Sequence, residues 1–241
     1  MSDSSDNAGK DIFGFGKVTK AIPPEVYVQT AAVALETFQK LLWPITAITS
    51  GLGHYLDQKF ATMVEIQKAI AVYTLQEAIT KAKENAQRRG QSLHSPASLK
   101  VFVKSIEEAS SETDPLLHEM WTNLIASQLV DEACHPHFVQ ILPHFSPAEA
   151  KLLVSLLPLD EVGENSGGYM VGTGDIFTHW MAKSGGDVKL WSISCTLLSE
   201  FRFVDLAAPM IHNPDNAAIL YRTTLGSAFL AAVTSHHRFI I

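Results

Sequence analysis

The chain has 241 residues, 46% of them apolar and 18% charged, with a formal charge of −7. That composition excludes an intrinsically disordered chain, and the negative balance argues against general affinity for nucleic-acid phosphates. Two cysteines, Cys134 and Cys195, are too few for a disulfide framework, so a reducing, cytoplasmic setting is expected.

Residues 1–22 read as a flexible polar leader without the basic-then-apolar layout of a signal peptide. After Pro23 and Pro24, the residues Val28, Ala31, Leu35, Phe38 and Leu42 recur every three or four positions, predicting an amphipathic helix over 26–43. Pro44 ends or kinks it. The charge-free run from Leu41 to Leu56 is broken by Pro44, Gly51, Gly53 and His54. It falls short of the roughly 20 apolar residues that a membrane-spanning helix needs. A second stripe follows: Leu52, Leu56, Phe60, Met63, Ile66, Ile70 and Tyr73. With no Gly or Pro from His54 to Arg89, one long helix is predicted, spanning roughly 50 Å. Lys81, Lys83, Arg88 and Arg89 lie toward its C-terminal end, and Gly90 is placed to cap it.

Residues 91–97 form a linker. Leu99, Phe102, Val103 and Ile106 then define a compact helix ending near Ala109. Asp114 and Pro115 form a start signal, cap followed by first helical position. In the helix after it, Leu117, Trp121, Leu124 and Gln128 share one side. His135-Pro136 opens a short helical stretch, HFVQIL, and Ser146-Pro147 caps another, with Glu149 three positions after the cap.

From Ser146 the pattern changes. A helix over 147–157 precedes the Gly-rich loop GENSGGYMVG, a short helical piece DIFTHWMAK and a third helix, VKLWSISCTLLSEFR. Phe203 to Leu206 read as extended, Ala218 to Thr223 alternate like a strand, and TLGSAFLAAV closes as a helix. Three helices followed by a two-strand ribbon is the order of a winged helix-turn-helix unit. The fold class expected is therefore mainly α: a leader (1–22), a helical domain with one long helix (23–145), and a winged-helix-like module with a short β-ribbon (146–241).

Three short motifs in the middle of the chain carry a resemblance. The first has Trp121, Asn123, Leu124 and Ala126, the second His135, Pro136, Phe138 and Val139, and the third Ser146, Pro147 and Ala150. Together they resemble the Abi-alpha family of bacterial abortive-infection proteins. Phe145, Glu149 and Ile125 are mild departures from its usual Leu, Asp and Leu. The resemblance covers about residues 41–230 and is specific in the middle third. It implies a role in defence against phage, in which an infected cell stops growing or dies. It implies no catalytic site, so the motif residues mark fold and interaction rather than chemistry.

Each chemical motif has a plainer reading. Cys134, His135, His137 and His144 lack the spacing of a zinc site, and His135 is expected to orient the turn before a helix. Cys195 falls in an apolar helical pattern, where a buried, inert thiol is the default. Glu107, Glu108, Glu112 and Asp114 lie at a helix end and start and serve as caps or solvated faces. Neither GENSGG nor KSGGD fits a nucleotide-binding fingerprint. No catalytic residue, cofactor or metal is assigned.

Charge weighs on the DNA reading. Residues 146–241 hold six basic and nine acidic residues, a net −3, and the third helix is largely apolar. A reading helix presents Arg, Lys, Asn or Gln to base edges, so a protein partner (host, phage or a second copy of this chain) is preferred to nucleic acid. The helix over 26–43 has a membrane-surface alternative, but Lys40 is its lone basic residue. Packing against the long helix is preferred there.

Overall fold

The structure, a computed structural model, describes residues 22–23, 26, 36–37, 40, 58–60, 62–131, 134–156, 158, 170–172, 188–207 and 217–234. The leader 1–22 (except Ile22), most of the 26–43 helix and the DIFTHWMAK piece lie outside the described residues. Within 26–43, Glu36, Thr37 and Lys40 are helical, and Glu36 pairs with Lys40 at 2.6 Å on an exposed face.

The first long helix, α1, runs Glu65–Arg89. It is shorter than the sequence stripe predicts, because Val64 is extended (φ −71°, ψ 156°) and interrupts the helical residues on either side. Stripe residues Phe60 and Ile70 are buried on either side of that break. Ile66 is 49% exposed, while Ile70 of the predicted stripe is buried along with Ala71, Val72, Leu75, Ala78, Ala82 and Ala86. A face of small side chains lets neighbouring helices approach closely. Gly90 ends α1 with φ +64°, its N–H bonded to the Gln87 carbonyl and that of Gln91 to Ala86. This is the paired closure a left-handed residue permits.

The next helices, α2 (Leu99–Ser111) and α3 (Pro115–Ser127), pack on α1 and on each other. Both begin as local chemistry dictates. Ser98 accepts the Val101 N–H, and Asp114 Oδ1 accepts those of Leu116 (2.9 Å) and Leu117 (3.1 Å). A short α4 (Phe138–Ile141), a 3-10 turn (Leu142–His144) and α5 (Pro147–Ser155) follow.

Beyond them come β1 (Met170–Gly172), α6 (Val188–Glu200), β2 (Val204–Ala207), β3 (Ala217–Arg222) and α7 (Thr224–Val233). The short ribbon expected from sequence is a three-stranded antiparallel sheet with β3 in the middle. Its additional strand comes from the stretch read as a Gly-rich loop, Met170 pairing with Ile219 and Gly172 with Ala217. Three residues are too few for an alternation pattern to show in sequence. The fold is thus mainly helical with one small antiparallel sheet. One continuous core cluster runs from Phe60 through α3 and α5 to Val233.

Rings from four segments fill its C-terminal part. Phe203 stacks on Phe229 (4.6 Å between centroids), while Phe145 and Phe138 meet Phe229 at 5.2 and 5.3 Å. Offset and edge contacts of this kind add about 0.5–1.5 kcal/mol each beyond the area they bury. No helix among the described residues is long and apolar enough to cross a membrane.

Candidate functional site

The three sequence motifs meet where the helical half joins the C-terminal elements. Trp121 (1% exposed), Leu124, Ala126, Phe138, Val139 and Ala150 all belong to the core cluster. Asn123 is buried beside them, Pro147 is half-buried, and His135, Pro136 and Ser146 are exposed.

Asn123 holds the junction together. Its Nδ2 donates to the Val233 carbonyl at 3.0 Å, and one turn further along α3 the Ser127 hydroxyl donates to the Ala232 carbonyl at 2.8 Å. Both acceptors lie at the C-terminal end of α7, where the last carbonyls of a helix lack intrahelical partners. Two side chains of α3 therefore cap another helix. Lys81 of α1 donates to Asn123 Oδ1 at 2.9 Å and pairs with Glu119. Sequence reasoning misses the roles of Lys81 and Ser127, since nothing local marks a partner tens of residues away or more.

The third motif is built around a buried carboxylate. Glu149 completes the capping box predicted for α5, accepting the Ser146 N–H at 2.7 Å and the Ser146 hydroxyl. Its second oxygen accepts from Ser194 of α6 at 2.5 Å. Burial by itself would raise the carboxyl pKa, but the hydrogen bonds from Ser146 and Ser194 outweigh it and hold the group below its ordinary value. One side chain thus caps α5 and ties α6 to it. His135 takes the role expected of it: its Nδ1 accepts the His137 N–H at 3.1 Å and orients the turn before α4.

The thiols lack the environment of nucleophiles. Burial pushes Cys134 up to about 12 and Cys195 up to about 11, so both stay protonated at neutral pH. No group of three or more His, Cys, Asp or Glu side chains converges among the described residues.

A histidine that the motifs do not include is also buried. His118 of α3 bonds Thr74 of α1 through Nε2 at 2.9 Å and stacks on Tyr73. Burial lowers its pKa from the ordinary 6.5. The unfolded chain therefore takes up this proton at a higher pH than the folded one. Stability is fully present above about pH 6.5 and falls as pH drops through the lowered folded value. Urea unfolding at a series of pH values should show this slope in the parent and a flatter one in His118→Gln. Equal slopes would show that His118 does not titrate differently on folding.

Comparison with known proteins adds one finding to this geometry. The model of the abortive infection alpha family matches residues 70–233, from the first turns of α1 to the end of α7. The chain belongs to the abortive infection alpha family. The matched region of this family member begins within the helix that carries Lys81 and ends at Val233, the residue whose carbonyl Asn123 caps. The C-terminal end of the match thus falls at the hydrogen-bonded junction. No curated protein and no solved structure matches the chain.

Proposed function

We propose that this chain acts in antiphage defence of the abortive-infection type, by binding another macromolecule in the cytoplasm rather than by catalysis. The observation that carries the reading is the family match over residues 70–233. The motif's own polar groups support interaction over chemistry: Asn123, Ser146 and Glu149 spend their hydrogen bonds on caps and helix ties. An enzyme keeps such groups turned toward a substrate. Expression in a phage-sensitive bacterium should lower plaque number, with infected cells failing to survive. Plaque formation and infected-cell survival equal to an empty-vector culture would overturn the reading.

A winged-helix-like module over 146–241, following the helical domain 23–145 and sharing its core, is part of this proposal. The element order α5, β1, α6, β2, β3 and the strand order β1-β3-β2 support it. That topology is also what favours a second reading, a DNA-binding regulator of a defence locus. Two observations weigh against it. Ile193 of α6 is 50% exposed, an apolar side chain where a reading helix shows hydrogen-bonding groups, and the module is acidic. Purified protein should therefore show no specific binding to its own upstream DNA. Tight binding that weakens steeply with salt would put the regulator reading first. The preferred partner is a host protein, a phage protein or a second copy of the chain.

A further inference from the structure

The start of α1, the end of α2 and the start of α3 enclose a cleft of about 350 Å³. Ile22, Ile66, Ile70 and Pro115 line it with apolar surface. His118 also lines it, only 8% exposed, and its proton inventory can be worked out from its neighbours. The Thr74 hydroxyl has one proton and donates it to the Ile70 carbonyl at 2.8 Å. With that bond made, the same oxygen accepts toward His118, which assigns the hydrogen of the neutral ring to Nε2. Nδ1 keeps its lone pair, with no hydrogen-bond partner among the described residues. Gln67, also in the lining, donates to Ser111 at 3.1 Å, and the Ser110 hydroxyl donates to the Glu107 carbonyl at 2.7 Å.

Charge narrows the ligand further. Glu112 is the one charged residue among the described residues lining the cleft. Its Oε1 is held in place by the N–H groups of Thr113 and Asp114, both at 2.8 Å. A fixed carboxylate with no cation beside it among the described residues lining the cleft repels anions, phosphates included. The volume lies within the range of small-molecule sites, whose mostly apolar walls carry a few placed polar groups.

We propose that this cleft binds a small organic molecule with an apolar body, a hydrogen-bond donor directed at His118 Nδ1, and no negative charge. The proposal stands on the geometry of the cleft and is independent of the defence reading. Burial keeps the ring neutral at physiological pH, which preserves the acceptor.

Four probes of nearly one shape test it by calorimetry on the full chain: indole, tryptamine, 1-methylindole and indole-3-acetate. Indole and tryptamine should bind. The N-methyl compound cannot donate and leaves Nδ1 desolvated and unpaired, so it should bind about tenfold more weakly. Indole-3-acetate should bind no better than the N-methyl compound. Ile66→Trp, at a position 49% exposed, fills the cleft from its edge without disturbing the core and should abolish binding. The ¹⁵N resonance of His118 Nδ1 should move when indole is added. Equal binding of indole and 1-methylindole, binding retained by Ile66→Trp, a stationary Nδ1 resonance, or no binding of indole and tryptamine at millimolar concentration would each overturn the proposal.

Discussion

Trp121→Ala is expected to lose about 3–5 kcal/mol of unfolding free energy, the largest single-residue effect in this chain. Trp121 is the largest of the fully buried side chains, 1% exposed, and belongs to α3, the helix that packs against α1, α2 and α7. Removing the indole deletes its transfer free energy and leaves a cavity whose walls are helices already fixed by other contacts. The Lys81–Asn123–Val233 and Ser127–Ala232 hydrogen bonds pin α1 and α7 to α3, so the site has little freedom to collapse. Typical domains are stable by about 5–15 kcal/mol, so the loss is a large fraction of the total. Urea unfolding measures the loss. A variant that unfolds with the parent yet no longer restricts phage would show that Trp121 serves recognition instead of packing.

Gly226→Ala is expected to destabilise by about 3 kcal/mol, although the same change in an open helix stabilises by about 1 kcal/mol. The sign is decided by Phe203. An added Cβ would lie 2.2 Å from the Phe203 carbonyl oxygen and 3.0 Å from Arg222 Cγ. That carbonyl is not free to move, because it accepts the Thr223 N–H at 3.0 Å. Thr223 in turn caps α7 by accepting the Gly226 N–H and donates to the Arg202 carbonyl at 2.7 Å. Arg202 itself holds a left-handed conformation (φ +58°) that closes α6, as Gly90 closes α1. The methyl group would therefore push against a corner in which each backbone group is already tied. Thermal melting of the two proteins side by side checks this. A higher melting temperature for the variant would mean that α7 does not press on the α6–β2 corner.

Much of the local architecture is legible in the order of residues alone. Asp114 with Pro115, Ser146 with Pro147 and Glu149, and Gly90 all act where their residue types place them. The faces of α2 and α3 bury Phe102, Val103 and Ile106, and Leu117, Trp121, Leu124 and Gln128, as their spacing requires. Caps and stripes are read correctly because their physics operates within one or two turns of chain, a distance over which sequence neighbours are spatial neighbours. The family motifs belong to the same class, short segments whose residues follow one another closely.

The longer stripe buries Phe60 and Ile70 as its spacing requires, but the single long helix is interrupted at Val64, an extended residue whose β-branched side chain carries no punctuation comparable to Gly or Pro. The strand Met170–Gly172 is hidden because it pairs with β3, some fifty residues later. Asn123 and Ser127 read as ordinary polar positions on an apolar helix, yet they cap α7 across 110 and 105 residues. Glu149 reads as half of a capping box, and its bond to Ser194 follows only from the way α6 returns to α5. Sequence by itself determined where helices start and stop, which faces are apolar, and the family. The tertiary structure alone decided which buried polar groups meet, because a hydrogen bond between distant residues depends on the path of the whole chain and leaves no periodic trace in either segment.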